Sequence, residues 1–185
     1  MEKITHYEKT LTSEVLFEGR VITLTKDTAL LENGKTATRE VVHHHGGACI
    51  VPYFTDGTIC MVRQFRYAVG QHLWEIPAGK REKGENPFVT AQRELNEEVG
   101  AAAARWTELG SIIASPGCYA EVLYLYMAEG LTFSRQHLDE DEFLEVRFFP
   151  FAEAVEKCMS GEIRDGKTVT AVLKARLLQE KTCTL

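Results

Sequence analysis

The 185-residue sequence lacks features that several classes of protein require. It has no run near the roughly 18 apolar residues of a membrane span, and its first residues, MEKITHYEKT, contain no apolar stretch typical of a signal peptide. We therefore expect a cytoplasmic protein. Basic residues are also scarce, with 21 Lys and Arg against 27 Asp and Glu. Nucleic acids and membranes are not expected as partners, because both need a basic surface.

Cysteine is sparse and scattered, and no C-x-x-C pair occurs among Cys49, Cys60, Cys118, Cys158 and Cys183. An odd number of separated cysteines argues against a disulfide framework or a zinc site, and favours buried free thiols. The run of three histidines at 43–45 suggests a metal site at first. Alternate residues of a strand face opposite ways, however, so we interpret this run as structural.

The chain has no repeat, low-complexity tract or Ser/Pro-rich linker, and its composition is that of one cored domain with a small appendage. Residues 1–45 are the more polar part. They read as short strands with a hairpin turn at Asn33-Gly34, and we predict a small N-terminal β unit there. Residues 46–185 form the predicted main domain.

The main domain begins with two apolar runs, 48–54 and 58–66, on either side of Asp56-Gly57. This pattern predicts a second hairpin made of central strands. Further strands are predicted at 106–114, 121–128 and 144–149.

Two helices are predicted near the carboxyl end, at 151–159 and about 167–180. In the second, helical spacing of Val169, Val172, Leu173 and Leu177 predicts the buried face. The helices are too few to alternate with the strands, so we expect an α/β sandwich of mixed sheets rather than a wound parallel sheet.

The clearest helix signal lies between Asn86 and Gly100. Asn86 is a favoured N-cap, Pro87 suits the first helical position, and Gly100 supplies a left-handed stop. One apolar face is formed by residues at helical spacing, namely Phe88, Ala91, Leu95 and Val99. The helix is therefore specified at both ends and along its buried side.

The same helix crowds three carboxylates, Glu94, Glu97 and Glu98. Like charges at i,i+3 and i,i+4 cost about 0.2–0.5 kcal/mol per pair. A solvated acidic face is the usual explanation of such a run. A divalent cation is the alternative, because hard cations such as Mg²⁺ take oxygen ligands and turn the repulsion into attraction.

The spacing upstream favours the second explanation. The segment from Gly79 to Ala101 resembles the Nudix box, G-x5-E-x7-R-E-U-x-E-E-x-G-U with U aliphatic, at every fixed polar and glycine position; only the small Ala101 departs from the usual last residue. The resemblance implies the Nudix fold, an α/β/α sandwich in which a loop, a helix and a loop present metal-binding carboxylates. It also implies hydrolysis of a nucleoside diphosphate linked to another group.

The resemblance also implies roles for the residues of the box. Glu94, Glu97 and Glu98 are the expected ligands of Mg²⁺, with Mn²⁺ as an alternative, and the backbone carbonyl of Ala78 is expected to join them. Arg93 is expected to hold a glutamate rotamer by ion pairing, and Glu85 to assist the metal site or brace its loop.

Features outside the box resemble the ADP-ribose pyrophosphatase subfamily. Pro116 falls sixteen residues after Gly100, the segment VRQFRYAVGQHLWEIPAGK (62–80) is similar to the strand-loop-strand before the box, and the N-terminal β unit is similar to one exchanged between subunits of a homodimer. A Pro-Gly pair is more commonly just a turn. In the subfamily interpretation Pro116 shapes the pocket on the adenosine side.

Four further residues are candidates for substrate binding or catalysis. Arg63 and Arg66 are expected on one strand face, where a guanidinium would bind an anionic substrate in a net-negative protein, although exposed strand arginines are more often surface residues. Glu75 is a plausible substrate contact. By resemblance, the acidic loop 138–146 supplies a general base or a last metal ligand; Glu140 is favoured as base and Glu142 as the residue near the metal.

The function that the resemblance implies is Mg²⁺-dependent cleavage of ADP-ribose to AMP and ribose 5-phosphate. One alternative keeps the chemistry and changes the substrate to another nucleotide sugar, such as GDP-mannose. The other is a ligand sensor that has lost catalysis, for which a broken box or a fused DNA-binding domain would be the sign.

Overall fold

The computed structural model describes residues 6–138 and 143–182. By the pattern of its contacts the chain divides into two compact units. Unit 1 comprises the chain up to His44 together with Ile113–Glu121, and unit 2 comprises His45–Ile112 and the chain from Val122 onwards.

Unit 1 is built on three antiparallel strands, β1 (Lys9–Glu18), β2 (Thr23–Leu30) and β3 (Thr36–His43). The turn between β2 and β3 contains Gly34 at a φ of 78°, a left-handed conformation that glycine adopts without strain. The hairpin predicted at Asn33-Gly34 is therefore confirmed. Strand β1 is exposed along its whole length.

Seven further strands and three helices are formed by the described residues. The strands are β4 (Gly47–Pro52), β5 (Thr58–Arg66), β6 (Gln71–Glu75), β7 (Ala78–Lys80), β8 (Ala101–Ser115), β9 (Tyr119–Phe133) and β10 (Leu144–Pro150). The helices are α1 (Pro87–Val99), α2 (Phe151–Ser160) and α3 (Gly166–Thr182), and a short 3-10 turn, Tyr67–Val69, joins β5 to β6. The first residues of β9 pair in parallel with the end of β3 within unit 1.

Two sheets form unit 2. In one, β4 lies between β9, which is parallel to it, and β7, which is antiparallel, and β8 pairs with β9. In the other, β5 lies between β10 and β6, both antiparallel to it.

This arrangement corrects the predicted second hairpin. The turn at Asp56-Gly57 forms, since the Gly57 N–H donates to the Phe54 carbonyl at 3.0 Å. The two sides are joined next to the turn by a hydrogen bond from the Phe54 N–H to the Thr58 carbonyl and by a bridge between Tyr53 and Ile59, and the strands then separate into different sheets. Strand β4 is buried along its whole length and β5 is buried over residues 59–62, so each lies at the centre of its own sheet instead of pairing with the other.

The core has a layer on each side of β4. Ala48 and Ile50 pack in a cluster with α1, whereas Cys49 and Val51 pack in a larger cluster with α2 and α3. This alternation follows from the period of two along a strand. The result is helices on both faces of the sheets, and the predicted α/β sandwich is confirmed.

The predicted helices are also confirmed, with one correction to their packing. The buried face of α3 contains Ala171, Val172 and Ala175, whereas Leu177 is exposed. Small residues let α3 approach the sheet closely, and the larger Leu177 points away. The spacing of the large apolar residues was therefore an unreliable guide to the buried face.

Cys49, Cys60 and Cys158 are buried thiols outside any disulfide, as predicted, but Cys118 is exposed in the turn between β8 and β9. Cys183 lies outside the described residues. None of the helices described is long and apolar enough to cross a membrane.

Candidate active site

The candidate site is built on α1, whose ends are fixed by the predicted signals. The Asn86 side chain accepts a hydrogen bond from the Phe88 N–H at 2.9 Å. At the other end Gly100 has a φ of 66°. Residues Ser134–Gln136 also pass very close, because a Cβ on Gly100 would lie 2.7 Å from the Gln136 nitrogen. Glycine is therefore needed here for two reasons, the backbone conformation and the space.

The segment 134–137 closes the carboxyl end of α1. The His137 N–H donates to the Glu97 carbonyl at 3.0 Å, and the Gln136 side-chain amide donates to the Glu98 carbonyl at 2.6 Å. Helix carbonyls at this end have no partner within the helix. These contacts therefore fix the backbone of the turn that carries the candidate metal ligands.

Two of the three carboxylates are buried, which the sequence did not predict. Glu94 is 6% exposed and Glu98 is 2% exposed. Glu98 Oε2 accepts a hydrogen bond from the Ala78 N–H at 3.0 Å, which ties α1 to β7. Buried carboxylates are costly unless they are paired, hydrogen-bonded or bound to a metal, so these two side chains are strong candidates for function.

Gly79 makes room for Glu94. A Cβ at position 79 would lie 1.8 Å from the Glu94 carboxyl carbon, which is far inside van der Waals contact. Strand β7 therefore approaches α1 so closely only because residue 79 has no side chain. The first glycine of the box and its first helical glutamate are packed against each other.

The Arg93 guanidinium contacts three carboxylates of the box. Its Nη1 donates to Glu94 Oε1 at 2.7 Å and to Glu97 Oε2 at 2.8 Å, and its Nη2 lies 3.5 Å from Glu85 Oε2. Partial burial by itself would lower the pKa of Arg93, but the charge of Glu94 and the hydrogen bonds to the carboxylates raise it above its ordinary value. The predicted ion pairing is present. We call this group the α1 cluster: Glu85, Arg93, Glu94, Glu97 and Glu98.

Glu85 fixes the loop that precedes α1. Its carboxylate accepts from the Glu82 N–H at 3.0 Å and from the Thr90 hydroxyl at 2.8 Å. The backbone hydrogen bond is the main reason that the pKa of Glu85 is lowered. The Arg81 guanidinium in turn donates to the Glu85 carbonyl at 3.0 Å. Hydrogen bonds to both the side chain and the backbone of Glu85 therefore stabilise the loop.

The α1 cluster fits a divalent cation by its chemistry. Four carboxylates and one guanidinium carry a formal charge of −3, and carboxylate oxygens are the ligands that Mg²⁺ prefers. Within residues 6–138 and 143–182, no three His, Cys, Asp or Glu side chains already stand in a metal-binding arrangement. The Arg93 Nη1 donates to both Glu94 and Glu97, whereas Glu98 accepts from the Ala78 N–H.

A second charged group lies where β5, β6 and α3 meet. Arg66 binds Glu75 through two hydrogen bonds of 2.7 Å each, and Lys167 also donates to Glu75. Lys167 further contacts Asp165 at 2.9 Å. We call this group the Glu75 cluster: Arg66, Glu75, Asp165 and Lys167. Its formal charge is zero.

Glu75 is only 1% exposed, so a direct substrate contact would require its ion pairs to open. Sequence reasoning missed Lys167 and Asp165. Asp165 could have been found as an N-cap, since it accepts from the Thr168 N–H at 3.1 Å. The link from Lys167 to Glu75 spans 92 residues and left no local signal.

The two predicted substrate arginines do not share a strand face, which corrects the prediction. Arg63 lies 3.7 Å from Glu145 on neighbouring β10, whereas Arg66 binds Glu75 on β6. Residues three apart in a strand point to opposite faces because the period is two. The hydrogen bonds to Glu75 are the main reason that the pKa of Arg66 is raised, and the charge of Glu98 makes the smallest contribution.

The remaining predicted residues fall elsewhere. Pro116 belongs to unit 1, in the turn between β8 and β9. Glu140 and Glu142 lie outside the described residues. His43 contacts the Thr25 hydroxyl at 3.0 Å and His44 lies 3.1 Å from Glu121, which agrees with a structural interpretation of both histidines.

Comparison with known families gives the class of the protein. The model of the NUDIX domain matches residues 43–172, and that of the nucleoside diphosphate sugar hydrolase N-terminal domain matches residues 8–42. The chain belongs to the NUDIX domain family.

Three curated proteins that are similar in sequence to this chain carry different names. An ADP-ribose pyrophosphatase of Bacillus subtilis (strain 168) is 41% identical over 167 residues, covering 89% of this chain and 90% of the relative. A methanol dehydrogenase activator of Bacillus methanolicus is 42% identical with the same coverage. A GDP-mannose pyrophosphatase of Salmonella arizonae is 37% identical over 149 residues, covering 74% of this chain and 78% of the relative.

A solved structure supports the fold. The crystal structure of an ADP compounds hydrolase matches with a TM-score of 0.85 over 98% of each chain, at 21% identity. At this identity the likeness establishes the architecture alone.

Proposed function

We propose that this protein is a hydrolase that cleaves the diphosphate of ADP-ribose, giving AMP and ribose 5-phosphate. The observation that carries the proposal is the α1 cluster, in which Glu94 and Glu98 are both buried and Glu94 packs against Gly79, a position where no larger residue fits without displacing it. The choice of ADP-ribose as substrate is supported by relatives that are named ADP-ribose pyrophosphatase and are similar over most of the chain.

The cofactor in this proposal is Mg²⁺, with Mn²⁺ as an alternative. Glu94, Glu97 and Glu98 would hold it, with the Ala78 carbonyl as a further ligand. A bound divalent cation supplies charge neutralisation at the diphosphate oxygens and a more acidic water.

The protein residues have separate tasks in the reaction. Arg66 binds phosphate oxygens, Arg93 keeps Glu94 and Glu97 in place, and Glu85 holds the loop before α1. A glutamate of the acidic loop, Glu140 or Glu142, accepts the proton of the attacking water. Arg63 and Pro116 are kept as candidate substrate contacts.

A second candidate is the same reaction on another nucleotide sugar. The GDP-mannose pyrophosphatase relative favours it, although the similarity covers less of the chain than that to the ADP-ribose pyrophosphatases. A sensor without catalysis is the weakest alternative, because every fixed position of the box is present.

The N-terminal β unit, residues 1–45, is proposed to form a homodimer in the cytoplasm. Its support is that β1 carries exposed apolar side chains, including Leu11, Val15 and Phe17. Apolar surface of this kind is a common interface feature. Light scattering coupled to gel filtration measures the mass, and a monomer at micromolar concentration would contradict the dimer.

The test of function incubates the pure protein with Mg²⁺ and, separately, ADP-ribose, NADH, GDP-mannose, diadenosine polyphosphates and 8-oxo-dGTP, with products identified by mass. ADP-ribose is expected to have the highest kcat/KM and to give AMP and ribose 5-phosphate. A higher kcat/KM for GDP-mannose would establish the second candidate. No turnover of any compound with Mg²⁺ or Mn²⁺ would contradict both.

A further inference from the structure

In the Glu75 cluster a lysine of α3, Lys167, binds the same carboxylate as the candidate substrate arginine, Arg66. Glu75 Oε2 accepts hydrogen bonds from both Arg66 and Lys167, and Glu75 Oε1 accepts a second one from Arg66. The carboxylate is therefore shared by two cations. Neither Lys167 nor Asp165 belongs to the box or to the strand segment before it.

The first turn of α3 holds Lys167 in place. Asp165 Oδ2 accepts from the Lys167 ammonium at 2.9 Å and from the Thr168 hydroxyl at 2.6 Å. The same Thr168 hydroxyl accepts from the Ile76 N–H at 2.9 Å, one residue after Glu75. The start of α3 and the end of β6 are thus joined by both a side-chain bond and an ion pair.

Exposure separates the two cations of the cluster. The Arg66 side chain is 40% exposed, whereas that of Lys167 is 12% exposed. Arg66 has five N–H groups, and among the residues that the structure describes only Glu75 accepts hydrogen bonds from its side chain, through two of them. Arg66 can bind an anion while it remains paired with Glu75, whereas the Lys167 ammonium is mostly buried and already contacts two carboxylates, Glu75 and Asp165.

The charges explain why the lysine is needed. Burial by itself would raise the pKa of Glu75, but the hydrogen bonds of Arg66 and the charge of Lys167 outweigh it and lower the pKa. Without Lys167, Arg66 would be the only cation bound to this buried carboxylate. An arginine held this way alone is neutralised by its partner and less available to phosphate oxygens.

We infer that Lys167 is a positioning residue for Arg66: by sharing Glu75 and balancing its charge, it fixes the guanidinium and leaves its free N–H groups positive toward the diphosphate of the substrate. Asp165 contributes to the same positioning, because it accepts a hydrogen bond from the Lys167 ammonium. This inference rests on the proposed function, because it assumes that Arg66 binds a nucleoside diphosphate. It assigns part of the substrate site to the start of α3.

The experiment is a double-mutant cycle of Lys167→Met and Arg66→Ala, measured in two ways. One readout is kcat and KM for ADP-ribose with Mg²⁺. The other is the Kd of ADP with Mg²⁺ by calorimetry, which needs no turnover. Lys167→Met is expected to raise KM and Kd about 10-fold, the size of a lost charge-assisted bond, with a smaller change in kcat. In the Arg66→Ala background it is expected to have little further effect.

Controls separate positioning from folding. Lys174→Met makes the same change at an exposed position of α3 and is expected to leave KM, Kd and the thermal midpoint unchanged. Lys167→Arg keeps the charge and is expected to restore most of the binding. If Lys167→Met does not fold, Lys167→Gln, which keeps a hydrogen-bond donor without the charge, is measured in its place.

Equal losses from Lys167→Met with and without Arg66, or an unchanged KM and Kd, would overturn the inference. Failure of wild-type protein to bind ADP would also overturn it. A wild-type protein that binds ADP but does not hydrolyse ADP-ribose would contradict the proposed function alone, and coupling between Lys167 and Arg66 in ADP binding would then still support the positioning role.

Discussion

The α1 cluster and the Glu75 cluster both bury carboxylates in unit 2, but their charge balance differs. In the Glu75 cluster two cations face two carboxylates, so the formal charge is zero. In the α1 cluster one guanidinium contacts three of four carboxylates, and the formal charge is −3. A balanced cluster is neutral within the fold, whereas an unbalanced one keeps a net negative charge that favours an added cation.

The two clusters also differ in how they are built. The α1 cluster is local, because Glu85 to Glu98 fall within one loop and one helix. The Glu75 cluster joins β5, β6 and the start of α3. Local clusters can be recognised from spacing along the chain, and distant ones cannot. The comparison predicts opposite responses to substitution and to metal.

The largest expected effect is that of Glu98→Gln on catalysis. Loss of partners of metal ligands costs about 10–100-fold in metal affinity or activity, so loss of a ligand itself is expected to cost about 100-fold or more in kcat. The thermal midpoint is expected to stay the same or rise, because like charges are removed and Gln can still accept from the Ala78 N–H. Steady-state kinetics measures kcat and calorimetry measures the thermal midpoint, with Glu156→Gln at an exposed position of α2 as the matched control. Retained activity would refute the ligand role.

Glu75→Gln is expected to act mainly on stability. It leaves Lys167 buried without its full partner and costs about 3 kcal/mol, the lower end of the range for breaking a buried pair, because Arg66 keeps access to water. Denaturant unfolding measures the change. The control is Glu145→Gln, in the exposed pair with Arg63, where about 0–1 kcal/mol is expected. Equal costs would show that the Glu75 cluster is no better than a surface pair.

The same variant has a pH signature. The folded pKa of Glu75 is lowered, so the unfolded chain binds the proton more readily. Its contribution to stability is therefore fully present above the ordinary carboxyl pKa of about 4.3 and is lost as the pH falls through the folded pKa. Unfolding free energies between pH 7 and pH 3 should fall less steeply for Glu75→Gln than for wild type. Parallel curves would contradict this assignment.

Added Mg²⁺ is expected to stabilise the α1 cluster alone. A ligand at 100 times its Kd that binds only the folded state adds about 2.7 kcal/mol. The thermal midpoint of wild type and of Glu75→Gln should rise with Mg²⁺, and that of Glu98→Gln should not. A rise of equal size in all three would place the cation elsewhere.

Gly79→Ala is expected to lower the free energy of unfolding by about 1–3 kcal/mol, the usual cost of overpacking. The new methyl must displace the Glu94 carboxylate, so kcat should also fall. The double variant Gly79→Ala, Glu94→Ala removes the group that the methyl meets and should be close in stability to Glu94→Ala alone. An added loss in the double variant, seen in the thermal midpoint, would show that the strand and not the carboxylate is displaced.

Much of the fold was predictable where short segments carry their own signals. Asn86, Pro87 and Gly100 bound α1 as predicted, and Asn33-Gly34 forms its hairpin. The Asp56-Gly57 turn also forms, yet its strands enter different sheets. Turn residues determine a local reversal of the chain, but which strand pairs with which depends on partners far along the sequence.

The sequence by itself determined the chemistry of the α1 cluster, because one helix with 3.6 residues per turn brings its carboxylates together whatever surrounds it. Only the tertiary structure decided which of them are buried and that Glu94 packs against Gly79. It also brought Lys167 to Glu75 across 92 residues. Such contacts arise when the sheets and α3 pack around one core, and no spacing along the chain encodes them.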